Sequence, residues 1–112
     1  MDFIMEHSYD EQGGAWAVTL SGEVDIFNSA DLKKRLGALL DEKPADIEIK
    51  CGGLEYIDST ALGALVGVLK TVNELELSMR LTGLRPNLQR LFKITNLDSM
   101  FLLENGEGSG DE

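Results

Sequence analysis

A chain of 112 residues with 43% hydrophobic and 27% charged residues has the size and balance of one globular domain, able to bury about two thirds of the surface its unfolded form exposes. With 20 Asp and Glu against 10 Lys and Arg its formal charge is -10, a field that repels phosphate backbones and anionic lipid, so a basic protein surface is a better partner than nucleic acid or a membrane. No apolar run approaches the ~20 residues needed to span a bilayer, the N-terminal stretch lacks the basic and cleavable apolar segments of an export signal, and Cys51, the only cysteine, excludes an internal disulfide or a multi-cysteine metal site, so a soluble cytoplasmic protein is expected.

In chain order, alternation over Phe3 to Tyr9 and then Trp16, Val18 and Leu20, with Asp10-Glu-Gln-Gly-Gly14 between them, predicts an antiparallel β-hairpin. Ser21-Gly-Glu-Val-Asp-Ile-Phe27 reads as a turn and a short extended piece. Asn28 with Asp31 three residues on resembles a capping box, and Leu32, Leu36, Leu39 and Leu40 recur at helical spacing until Pro44. Lys33, Lys34 and Arg35 fall on the wet side of that helix.

Asp46-Ile-Glu-Ile-Lys-Cys51 alternates strictly, as a strand does when one face is the more buried, and Gly52-Gly53 is expected to end it. Cys51 is in phase with Ile47 and Ile49, which makes it a core thiol. Ala61 to Val72 predicts a second helix, apolar nearly all round and therefore covered over most of its circumference. Gly63 and Gly67 lie one turn apart on it, where each costs ~1 kcal/mol relative to Ala, a cost that close approach to another backbone would explain. Leu77, Met79 and Leu81 alternate as a further strand, Pro86 opens a third helix carrying Leu88, Leu91 and Phe92, and Met100 to Leu103 is a last strand or short helix. The tail 105–112 is too polar and glycine-rich to pack and is expected to be disordered, which leaves residues 1–104 as the folded domain. Strands alternating with helices after a hairpin predict an α/β fold: one mixed, largely parallel central sheet with helices packed on it.

The octapeptide Tyr56-Ile-Asp-Ser-Thr-Ala-Leu-Gly63 sets an acid and two hydroxyls before an uncharged helix. Asp58, Ser59 and Thr60 can each cap the helix by accepting from its first free N–H groups. A serine there is also well placed for modification. Phosphate on Ser59 would add about -1.5 to -2 charges at the positive end of the helix dipole without harming the fold. A partner packed against the neutral hydroxyl would meet a dianion beside Asp58 and Glu55 and be expelled.

The segment Tyr56-Ile-Asp-Ser-Thr-Ala-Leu-Gly-Ala-Leu-Val-Gly67 resembles the phosphorylation site of the anti-sigma factor antagonists, bacterial regulators of the STAS domain family. Leu20-Ser-Gly-Glu-Val-Asp25 is similar to the family's Gly-Glu-Leu-Asp element, Ile47-Glu-Ile-Lys-Cys51 to the strand before the site, and Asn87-Leu-Gln-Arg-Leu-Phe92 to its third helix. The resemblance covers nearly the whole chain except the tail. It implies a STAS-like domain that, unphosphorylated, binds an anti-sigma factor serine kinase and releases the sigma factor, with phosphorylation of Ser59 ending the interaction and a PP2C-type phosphatase restoring it. It further implies that Asp58 and Thr60 stand at the kinase interface and that Asp25 lies in the adjacent loop and helps contact the kinase. Where the family often has glycine after the hydroxyl pair, this chain has Ala61, which favours the helix but sets a methyl where a kinase would need close backbone approach.

Other chemistries lack their residues. A serine hydrolase needs a base beside Ser59, yet the one histidine, His7, is in the first strand and no Gly-x-Ser-x-Gly elbow is present. One histidine cannot supply a metal site, and neither Gly13-Gly14 nor Gly52-Gly53 leads into the Gly-Lys-Ser/Thr of a phosphate loop, so no cofactor and no enzymatic activity are expected. The rival reading keeps the fold and drops the switch: a constitutive STAS interaction subunit of a signalling scaffold or transporter complex, with Asp-Ser-Thr as contact surface and cap.

Overall fold

The structure, a computed structural model, describes residues 2–97 and 101–104. Strands β1 (Phe3–Asp10) and β2 (Ala15–Val24) form the antiparallel hairpin, closed where the Gly14 N–H donates to the Asp10 carbonyl at 2.8 Å. There follow α1 (Ser29–Glu42), β3 (Asp46–Ile57), α2 (Ser59–Glu74), β4 (Met79–Thr82), α3 (Pro86–Ile94) and β5 (Leu102–Glu104). The sheet runs in the order β1-β2-β3-β4-β5, parallel at every pairing after the first. This is the mixed, largely parallel sheet that the alternation of strands and helices predicts. Of the two readings of Met100 to Leu103, the strand is the one formed, while residues 98–100 and the tail 105–112, expected to be disordered, lie outside the described residues.

Each parallel step moves one place in the same direction across the sheet, so crossovers of the usual right hand set the helices on one face. Burial follows that rule. Trp16, Val18 and Leu20 of β2, Ile47, Ile49 and Cys51 of β3, and Met79 and Leu81 of β4 are buried, whereas Ala17, Thr19, Glu48, Lys50 and Arg80 in the alternate phase are half-buried or exposed. The helices close the core with Leu32, Leu36, Leu39 and Leu40 from α1, Leu62, Leu65, Val68, Leu69 and Val72 from α2, and Leu88 and Phe92 from α3. The hairpin is tied to α1 by polar contacts as well. The Trp16 indole N–H donates to the Lys43 carbonyl at 2.9 Å, and the Arg35 guanidinium donates to the Met5 carbonyl at 3.1 Å.

Three expectations are corrected. β2 does not give way to a turn after Leu20 but runs on to Val24, and β3 does not end at Gly52-Gly53 but runs on to Ile57. The pairing slips between Thr19 and Ser21 and again between Gly22 and Glu23, and the glycines make that irregularity possible. Gly22 has φ +93°, and a Cβ there would stand 2.5 Å from the Asp2 carbonyl oxygen; one on Gly53 would stand 2.7 Å from the Ser21 Cβ. Turn-forming residues here bend strands instead of ending them. Second, no backbone approaches the α2 glycines: Gly63 faces open space and Gly67 faces the end of the Lys33 side chain. Third, the cover over Ala61 to Val72 is less complete than expected, since Gly63, Lys70 and Thr71 are exposed and Ala64, Val66 and Gly67 only half-buried.

Cys51 is 1% exposed, as its phase predicts, and burial pushes its thiol from 9.0 up to about 12. Because the unfolded thiol ionises near 9.0 while the folded one keeps its proton to about 12, this group leaves stability unchanged below pH 9.0 and lowers it as pH rises from there. A thiol-specific reagent at pH 8 is therefore expected to modify Cys51 no faster than the chain unfolds, with full reactivity only in denaturant. The two kinds of glycine should separate in urea unfolding. Gly22→Ala is expected to lower stability by ~1–3 kcal/mol through backbone strain, and Gly63→Ala to raise it by up to ~1 kcal/mol through helix propensity.

Candidate functional site

Val24 pairs with Ile57 where β2 and β3 end together, so Asp25 and Asp58 leave the sheet side by side at the carboxyl ends of two parallel strands. That edge is where sites in such sheets are generally built. Asp58 is extended (φ -100°, ψ 179°) and donates its N–H to the Val24 carbonyl at 3.3 Å. Its carboxylate serves two elements. Oδ1 accepts from the Ala61 N–H at 2.9 Å and caps α2, while Oδ2 accepts from the Ile26 N–H at 2.9 Å in the loop after β2. Of the three polar residues able to cap, Asp58 is the one that does so.

Ser59 and Thr60, the first two residues of α2, are thereby left exposed, and among the described residues neither hydroxyl is committed to a hydrogen bond. Their backbone N–H groups are also without acceptors among the described residues, because the Ala61 and Leu62 N–H groups take the Asp58 carboxylate and carbonyl. Two directed donors and the positive end of a helix dipole thus surround an exposed serine. Ala61 is 0% exposed, so its methyl points into the core and leaves the approach to Ser59 open, contrary to the obstruction expected from sequence.

Asp25 holds its own loop. Its Oδ1 accepts from the Phe27 N–H at 2.9 Å and the Asn28 N–H at 3.2 Å, its carbonyl accepts from the Ser29 N–H at 2.8 Å, and its N–H donates to Asn28 Oδ1 at 2.8 Å. Asn28 Nδ2 in turn donates to the Glu23 carbonyl at 3.0 Å. The capping box expected at Asn28 and Asp31 does not form: the Asn28 amide makes no capping bond to α1 because it is spent on the loop behind it, and Asp31 instead lies 3.9 Å from Arg35 one turn on. Asp25, Asp58, Ser59 and Thr60 therefore share one edge, with two carboxylates as its internal frame and two hydroxyls as its display.

Sequence reasoning missed Ile26 and Phe27. They are 60% and 92% exposed, held outward by a loop whose N–H groups are bonded to Asp58 and Asp25. Spacing gave no warning, since Ile26 continues the even phase of the buried Trp16, Val18, Leu20 and Val24. Tyr56, the penultimate residue of β3, is also exposed. His7 pairs with Val18, well back from the Val24 end of the sheet, and lies edge-on to Trp16. No cluster of metal-ligating side chains is present among the described residues. Asp58→Ala removes a cap and an interloop bond together, and a loss of ~1–2 kcal/mol is expected in chemical unfolding, with Asp58→Asn recovering part of it.

The STAS domain family model matches residues 7–110. The anti-sigma-B factor antagonist of Staphylococcus epidermidis is 30% identical over 91 residues, which are 81% of this chain and 84% of that protein. Among solved structures, an anti-sigma factor antagonist from Mycobacterium paratuberculosis superposes with a TM-score of 0.80 at 21% identity, over 92% of this chain and 86% of that one. The Bacillus cell fate determinant SpoIIAA in its phosphorylated form superposes with a TM-score of 0.67 at 16% identity, over 95% and 94% of the two chains. Sheet order, helix placement and the matched sequence agree, and the chain belongs to the STAS domain family.

Proposed function

We propose that this chain is an anti-sigma factor antagonist, a non-enzymatic cytoplasmic binding protein that docks on an anti-sigma factor serine kinase through the edge formed by the Asp25 loop and the start of α2. The observation that carries the reading is the Ser59 hydroxyl, exposed and uncommitted at the first residue of a helix already capped by its neighbour. The names of the staphylococcal relatives support the antagonist role, and a fold neighbour that exists in a phosphorylated form supports a covalent switch.

The switch follows from local electrostatics. Transfer of a phosphoryl group from ATP to the Ser59 oxygen adds about -1.5 to -2 charges where only a hydroxyl stood. The chain itself tolerates this, because the Ser59 and Thr60 N–H groups and the helix dipole favour an anion at that place. A docked partner does not. Its complementary surface would have to enclose a hydrated dianion beside Asp58, at the cost of desolvation and repulsion. The asymmetry makes modification a change in affinity instead of a change in fold, and removal of phosphate by a PP2C-type phosphatase would restore binding.

Two substitutions and one mass measurement test this. Ser59→Ala should bind the kinase like wild type and resist release by ATP, whereas Ser59→Asp should bind at least ~10-fold more weakly, on the order of 1.4 kcal/mol, with an unchanged melting temperature. In site-mapped phosphopeptide profiles from growing and stressed cells, a condition-dependent phosphate on Ser59 is expected. Equal binding by wild type and Ser59→Asp, with no phosphate under any condition, would instead identify the constitutive interaction subunit.

A further inference from the structure

We infer that Phe27, with Ile26 beside it, is the apolar anchor of the docking edge, filling a hydrophobic pocket with a basic rim on the anti-sigma kinase; the inference rests on the antagonist reading and deepens it. The starting point is an expense the fold does not recover. Phe27 is 92% exposed and Ile26 60%, so neither contributes its burial to the core. Single exposed apolar residues are ordinary, and Ile4, Leu75 and Ile94 are of that kind. An adjacent pair is different when its backbone is fixed. The Ile26 N–H is bonded to Asp58 and the Phe27 N–H to Asp25, each at 2.9 Å, so the loop presents the pair in one backbone geometry and docking has little ordering left to do there.

Continuity and charge name the occupant. The residue that holds Ile26 is Asp58, the immediate neighbour of Ser59, so a surface covering the Ser59 hydroxyl closely enough to sense a phosphate also reaches this loop. The stretches that flank the exposed pair and Ser59, residues 23–31 and 55–63, contain Glu23, Asp25, Asp31, Glu55 and Asp58 and no lysine or arginine, and the basic side chains nearest in the fold, Lys33 and Arg85, meet Gly67 and Gly52 instead. A complementary surface therefore pairs an apolar centre with basic side chains around it, the arrangement of aromatic centre and polar rim common to protein interfaces. An acidic rim also disfavours lipid and nucleic acid at this place.

The test uses the full chain and the purified serine-kinase anti-sigma factors of the same organism, loaded with ADP, with affinity measured by titration calorimetry. Phe27→Ala is expected to weaken binding at least tenfold and to raise the KM for Ser59 phosphorylation with little change in kcat, while its melting temperature stays that of wild type. Ile94→Ala removes a side chain 75% exposed on α3 and should bind as wild type. Wild-type affinity in Phe27→Ala would overturn the anchor and leave the antagonist reading standing, and so would an equal loss in Ile94→Ala. A wild-type chain that is dimeric in sedimentation, and monomeric in Phe27→Ala, would reassign the pair to self-association. Absence of wild-type binding to every such kinase would remove the antagonist reading, and the anchor with it.

Discussion

One carboxylate holds together the edge that carries Asp25 and Ser59. Asp58 accepts from the first turn of α2 with one oxygen and from the loop after β2 with the other, joining elements more than thirty residues apart in sequence. Charge-assisted bonds of this kind are about twice as strong as neutral ones. Because the acceptor is bound on both sides, the serine that follows it is set at a fixed distance from the Ile26-Phe27 loop. The edge behaves as one surface, although it is made from two segments far apart in sequence.

That bridge exists only because β2 and β3 end at the same level. Their parallel pairing carries them from Ala15 and Asp46 to Val24 and Ile57, through a register slip that any side chain at Gly22 or Gly53 would obstruct. The local cost in conformational entropy of two strand glycines is accepted for alignment. Behind the edge the apolar sides of β2, β3 and β4 are covered, so tilting the strands that aim Asp25 and Asp58 would open voids in a close-packed core.

What could be read in advance divides along physical lines. Period-two and helical spacing identified the hairpin, the three helices and the parallel strands, because burial on one face imposes those periods directly. Glycines misled at Ser21–Phe27 and Gly52-Gly53, since the same residues that permit a turn also permit a bulge, and only pairing with a neighbouring strand distinguishes them. Asn28 misled for a related reason: its short amide competes for backbone on either side, and the loop behind it won. At the site the residue types were legible and their division of labour was not. Asp58, Ser59 and Thr60 are equal as caps on paper, and the extended backbone at Asp58 decides among them. Ile26 and Phe27 passed unremarked because apolar residues near a strand suggest a core, and their exposure is a property of the folded loop alone.

The strand order has a consequence for how the chain comes to be competent. Each strand lies beside the one before it in sequence, so every addition after the hairpin closes a crossover that holds a single helix, and the sheet can grow by accretion from the hairpin as the chain is synthesised. The Asp25 loop belongs to the first third of that process, but its partner at Asp58 arrives only when β3 has docked. A nascent or partly unfolded chain therefore carries the serine without the surface around it. Any factor that recognises the assembled edge is, by the same geometry, an inspector of whether this protein has finished folding.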